Sequence, residues 1–188
     1  MSNTALTIAT RGNTGPIGAT GPASPANFYA DQFDNPITSD WAVNVLAPAS
    51  ADNTNSGLIV RLFDDTTEEG IGFSLLIPST ATSIVIAPIS KATTPAAGIR
   101  TIGLKLYARR MPDNAAVSAW ANKVMSDISV PATNAYFQYD TETIALTAFS
   151  TALIAGNYYQ FELTRVNPLA GTELIGDWNL YALTVSFT

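Results

Sequence analysis

An all-β fold, an antiparallel β-sandwich of jelly-roll type with an extended N-terminal arm, is what this sequence predicts. Three observations predict it. Apolar residues recur with period two over most of the chain after Asn27; clusters of Gly, Pro, Asn and Asp separate these runs; and no helical pattern alternates with them to build parallel crossovers. The division that follows is an arm over residues 1–27 and a sandwich over 28–188.

The arm comes first. Residues 1–11 carry one charge, Arg11, and a weak alternation through Leu6 and Ile8, so they read either as a disordered terminus or as an arm that orders on a partner. Glycine then stands at Gly12, Gly15, Gly18 and Gly21, every third place through residue 23, with Pro16 and Pro22 in the position after glycine. This is the period of collagen, where three polyproline-II chains meet at an axis that admits no Cβ. Four triplets span roughly 37 Å at about 3.1 Å per residue, a stalk too short to hold three chains alone. The competing reading is a flexible Gly/Pro linker. If the triplets wind, the protein is a homotrimer. A Pro/Ser/Ala hinge at residues 23–27 leads into the body.

The strands follow in order. Trp41, Val43 and Val45 alternate, as do Leu58, Val60 and Leu62, then Ile71, Phe73, Leu75 and Ile77. Further strands are predicted at 83–88, 99–109, 123–130, 136–139, 143–149, 158–166 and 178–187, with turn chemistry at 51–57, 64–70, 78–80, 94–98, 155–157 and 167–171. Only residues 113–121 could hold a short helix, with Asp113 as its N-cap. Trp41, Phe63, Phe73, Leu104, Leu106, Phe161, Leu163, Leu180 and Val185 are the predicted core.

Composition removes several function classes. The chain has 188 residues, 9 Lys and Arg against 15 Asp and Glu, and neither His nor Cys. There is accordingly no imidazole base, thiolate nucleophile, Cys/His zinc site or disulfide framework. A net charge of -6 and a pI near 4.4 oppose phosphate backbones, so no nucleic-acid partner is expected. Charged residues make up only 13% of the chain, which suits a body that hides surface in an oligomer. The first residues have neither a basic nor an apolar signal region, and no apolar run approaches the roughly 20 residues of a membrane helix, so neither export by a signal peptide nor a membrane partner is expected.

Candidate chemistry is sparse. The loop Asp64-Asp-Thr-Thr-Glu-Glu-Gly70 offers four carboxylates that could hold Ca²⁺, or that merely solvate a hairpin tip. No metal site, cofactor or catalytic residue is assigned. Glu142, Glu162, Glu173 and Asp177 lack any spacing that supports a glycosidase pair, and Glu162 and Arg165 read as surface charges paired with neighbouring strands. Trp120, Tyr136, Phe137, Tyr139, Tyr158 and Tyr159 could build a platform for sugar rings or serve as core and subunit contacts; Trp120, Tyr158 and Tyr159 are the named candidates. The doublet Arg109-Arg110 ends a strand, to meet either an acidic patch of another subunit or solvent.

The arm, the Gly-X-Y triplets and the acidic sandwich, with the stretches Arg61 to Phe73, Thr101 to Tyr107 and Phe161 to Pro168, resemble accessory virion proteins of tailed bacteriophages, both capsid decoration (cement) proteins and short fibres or spikes. The resemblance implies a non-enzymatic homotrimer made in the host cytoplasm, fixed by its arm to the major capsid protein on the outer surface of the head and stabilising the shell. The alternative it carries is a short phage fibre or spike whose sandwich binds a cell-surface glycan.

Overall fold

In a computed structural model of the chain, the structure describes residues 25–29, 47–48, 50–53, 59–65, 69–92, 100–113, 115–130 and 138–188. Leu6, Ile8, Arg11, the triplets with Gly12, Gly15, Gly18, Gly21, Pro16 and Pro22, the Trp41 strand, Leu58, Tyr136 and Phe137 lie outside the described residues.

The described strands are β1 (Ala26–Tyr29), β2 (Ala47–Pro48), β3 (Ser50–Asn53), β4 (Ile59–Phe63), β5 (Glu69–Leu76), β6 (Ser83–Ala92), β7 (Arg100–Arg110), β8 (Ala121–Val124), β9 (Ile128–Val130), β10 (Gln138–Tyr139), β11 (Glu142–Ala145), β12 (Tyr158–Val166) and β13 (Trp178–Phe187). They form two sheets. The first runs β10-β6-β13-β4-β3, with β1 also on β13 and β11 also on β6; the second runs β2-β5-β12-β7-β8, with β9 also on β7. From β4 to β7 the chain changes sheet at every turn, so strands adjacent in sequence face each other across the core rather than pair. Between the described strands all pairings are antiparallel except the short β2 against β5.

Alternation puts one face of each sheet inside. Phe73 and Phe161 stack with centroids 5.3 Å apart, and Phe63 meets Trp178 edge-on at 5.3 Å. Leu104, Leu106, Leu163, Leu180 and Val185 are buried beside them, as the alternation predicts. In β13 the register slips at Tyr181, so Leu180 and Leu183, three places apart, both reach the core.

Four predicted elements differ: the strand predicted over 143–149 ends at Ala145 and gives way to a 3-10 turn at Leu146–Ala148, the turn predicted over 51–57 begins within β3, and two more differ as follows. No helix forms within the described part of 113–121: the N–H of Ser118 donates to the Arg110 carbonyl (3.0 Å) and its hydroxyl accepts from the Arg110 N–H (2.8 Å), which draws the segment alongside β7. The predicted strand 123–130 divides into β8 and β9. Between them Asp127 accepts hydrogen bonds from the N–H groups of Leu169 and Ala170 (2.8 and 2.7 Å).

The sandwich has two ends. At one lie Leu76, Ser83, Arg110, Ala145, Tyr158 and Phe187; at the other lie Phe63, Glu69, Ala92, Arg100, Val166 and Trp178.

Candidate functional site

Strand β12 organises the outer face of the second sheet. Its core-facing residues are Tyr159, Phe161, Leu163 and Arg165; its outward ones are therefore Tyr158, Gln160, Glu162 and Thr164. The register sets Gln160 between Ser74 and Arg109, Glu162 between Gly72 and Tyr107, and Thr164 between Gly70 and Lys105. Lys105 Nζ lies 4.6 Å from the centre of the Tyr107 ring.

The open part of this face is its rim. Tyr107, Gln160 and Glu162 are withdrawn from solvent, each 1% exposed, whereas Tyr158 is 46% exposed and Trp120 half-buried. Arg109 ties the rim together: its Nε donates a 2.6 Å hydrogen bond to Gln160 Oε1, and its guanidinium carbon stands 4.7 Å from the centre of the Trp120 ring. Trp120 thus sits beyond β7, two strand spacings or roughly 10 Å across the sheet from β12, with Tyr158 on β12 two residues nearer the end than Gln160.

The sequence candidates separate accordingly. Trp120 and Tyr158 share the rim. Tyr159 does not: it is 3% exposed, because in a strand its neighbour's outward position turns it into the core, and its hydroxyl accepts the N–H of Ile154 at 2.9 Å. Tyr139 is exposed on β10 of the other sheet. The arginine doublet also splits. Arg109 faces the rim, while Arg110 lines a cleft of about 220 Å³ with Ala108, Ser118, Leu153, Ile154 and Tyr159. Gln160 and Arg109 are the site residues that sequence reasoning missed. The polar alternation Tyr158, Gln160, Glu162, Thr164 is the signal for Gln160, since period two sets these side chains on one face of a strand, whereas Arg109 shows in the sequence only as half of a basic doublet.

The opposite end is acidic and tightly bonded. Arg165 donates from Nη1 to the carbonyls of Phe63 (2.9 Å) and Gly176 (2.8 Å) and from Nη2 to that of Leu174, and stands 3.7 Å from Glu173. Neither Glu162 nor Arg165 is a surface charge; at 1% and 2% exposure they are buried, on opposite faces of β12. Burial lowers the Arg165 pKa, and Glu173, Asp65, Asp64 and Asp177 act against that. Burial raises Glu69, opposed by the Asp64 N–H it accepts (2.9 Å) and assisted by the charges of Asp64 and Asp177. Asp177 is raised by burial and then by Asp64 and Asp65. Asp65 accepts the Gly176 N–H at 2.8 Å. Among the described residues no three acidic side chains are grouped to hold a metal ion, and the carboxylates of Asp65 and Glu69 accept hydrogen bonds from backbone N–H groups. Of the remaining carboxylates, Glu142 lies on β11 of the first sheet, accepting the Ser126 N–H (2.8 Å), and Glu162 on β12 of the second.

No protein-family model matches the chain, and no curated protein matches it by sequence. Its structure is similar to solved β-sandwich modules. A xylan-binding module, CBM15, aligns over 89% of this chain and 98% of its own with TM-score 0.51 and 14% identity. The CBM36-1 domain of a multidomain xylanase from the hindgut metagenome of Trinervitermes trinervoides aligns over 88% and 98% with TM-score 0.50 and 8% identity. The enzymatically active domain of tailspike protein 4 of bacteriophage CBA120 aligns over 88% of this chain and 19% of its own, with TM-score 0.41 and 9% identity, too slight a likeness to carry an argument. At such identities the likeness is one of fold: the chain resembles carbohydrate-binding β-sandwich modules in architecture.

Proposed function

We propose that the sandwich is a non-catalytic module that binds a neutral polysaccharide along the rim of its second sheet. The observation that carries this reading is the linked set Trp120, Arg109 and Gln160, with the open ring of Tyr158 beside it. Flat rings take the apolar C–H faces of sugars, and planar donors such as guanidinium take their hydroxyls. Holding Arg109 between an amide and an indole fixes both kinds of group before the ligand arrives, which lowers the ordering cost of binding. A net charge of -6 directs the choice to uncharged glycans. The fold likeness to a xylan-binding module makes xylan the first ligand to try.

The test is a broad glycan array followed by titration with xylan. Trp120→Ala and Tyr158→Ala should each weaken binding at least about tenfold, or about 1.4 kcal/mol, while leaving the fold intact. An array without a binder, or binding unchanged in both variants, overturns the reading.

The Gly-X-Y period favours a second, compatible reading of the whole chain as a trimeric phage accessory protein, a fibre or a capsid decoration protein, attached to the virion through residues 1–27. Deleting residues 1–23 should then leave a folded sandwich that no longer loads onto particles. Loading by the truncated chain rules out that role for the arm.

A further inference from the structure

Five of the eight large apolar side chains exposed among the described residues gather at one end of the sandwich: Leu76, Met111, Val117, Ile154 and Tyr158. Leu76 pairs with Tyr158 across the end of β5 and β12, the N–H of Met111 donates to the Tyr158 carbonyl (2.9 Å), Val117 precedes the Ser118 that bonds Arg110, and Ile154 lies against the Tyr159 hydroxyl. Beside Ile154 a cleft of about 220 Å³ opens, lined also by Arg110, Ser118, Leu153 and Tyr159. Soluble proteins seldom leave such a cluster bare.

The path of the chain says what covers it. Strand β1 enters at this same end, with Ala26 opposite Val185, beside the 77–82 connection where Thr82 and Ser83 donate to the Thr188 carbonyl. The last triplet ends at residue 23, so Ala26 lies within about 11 Å of chain from a sequence whose glycine period suits a three-chain axis. Three chains joined there bring three copies of this end together. Charge agrees: Asp64, Asp65, Glu69, Glu173 and Asp177 collect at the far end, whereas the segments 76–83, 110–120 and 145–158 carry one cation, Arg110, and one anion, Asp113. Molecules of net charge -6 approach one another most readily by this pole.

We propose that the apolar end formed by Leu76, Met111, Val117 and Ile154 is the contact between copies of this chain in a parallel homotrimer, with Tyr158 at its border. The full chain should therefore have the mass of a trimer in native mass spectrometry and light scattering at micromolar concentration. Leu76→Asp combined with Ile154→Asp, both at exposed positions, should raise the dissociation constant at least about tenfold, while Leu169→Asp at the far end should not. Independently of any variant, hydrogen exchange of 111–118 and 150–156 in the unaltered chain should slow as its concentration rises. A monomer, a trimer indifferent to the double substitution, equal weakening by Leu169→Asp, or exchange independent of concentration overturns the proposal.

Discussion

Arg165 on β12 of one sheet hydrogen-bonds the carbonyl of Phe63 on β4 of the other, 102 residues away, at 2.9 Å. With the carbonyls of Gly176 and Leu174 it makes one guanidinium the polar tie between the sheets and the 167–177 connection. Arg165→Ala leaves three acceptors without their donor and should cost about 3–5 kcal/mol in urea denaturation. Arg165→Lys, which keeps the charge but not the planar fork, should fall between.

In the proposed glycan site Gln160 would act through Arg109, whose Nε–H it accepts. Gln160→Leu conserves the buried volume and removes the acceptor of the 2.6 Å bond, freeing the guanidinium to leave Trp120. Glycan affinity should drop about tenfold in calorimetric titration, with the melting temperature within a few degrees of the parent.

Glu69 should make stability fall as pH rises out of the acid range. A carboxyl raised in the folded state binds its proton more tightly there, so its contribution is present below the ordinary value of 4.5 and lost as pH climbs through the raised one. Glu69→Gln keeps an acceptor for Asp64 and removes the charge. Thermal melts at pH 4 and pH 7 should show the variant gaining on the parent at pH 7, by less than about 1 kcal/mol for a group only partly buried.

Gly103 on β7 has no room for a methyl group. A Cβ there would lie 2.6 Å from the Asn167 carbonyl oxygen and 2.9 Å from that of Val166, both backbone atoms that cannot swing aside. Gly103→Ala should lose about 2 kcal/mol, read from the shift in urea midpoint at constant slope.

The long strands were the legible part of this fold. β12 and β13 have the bounds their alternation predicts, because nine or ten residues whose apolar members must all turn to the core leave little freedom of register. The Asp and Asn of β3 predict a turn, yet a strand that among the described residues pairs with β4 alone, at the end of its sheet, tolerates them. β6 runs past Pro88, where the neighbour changes from β11 to β10 and no ladder donor is needed. In the site, Trp120 and Tyr158 stood out as aromatic residues. Arg109 meets Gln160 only through the register of β7 on β12, 51 residues apart, and local pattern does not encode such a distance.

The position of β13 also dictates when the body can form. The final strand is central in its sheet, flanked by β6 on one side and by β1 and β4 on the other, so a nascent polypeptide still inside the ribosome lacks the element that joins them. The first sheet closes only once translation has delivered residues 178–187. Until then β1 and β4 wait without the neighbour they share, and that interval is when a growing chain most needs protection from its fellows.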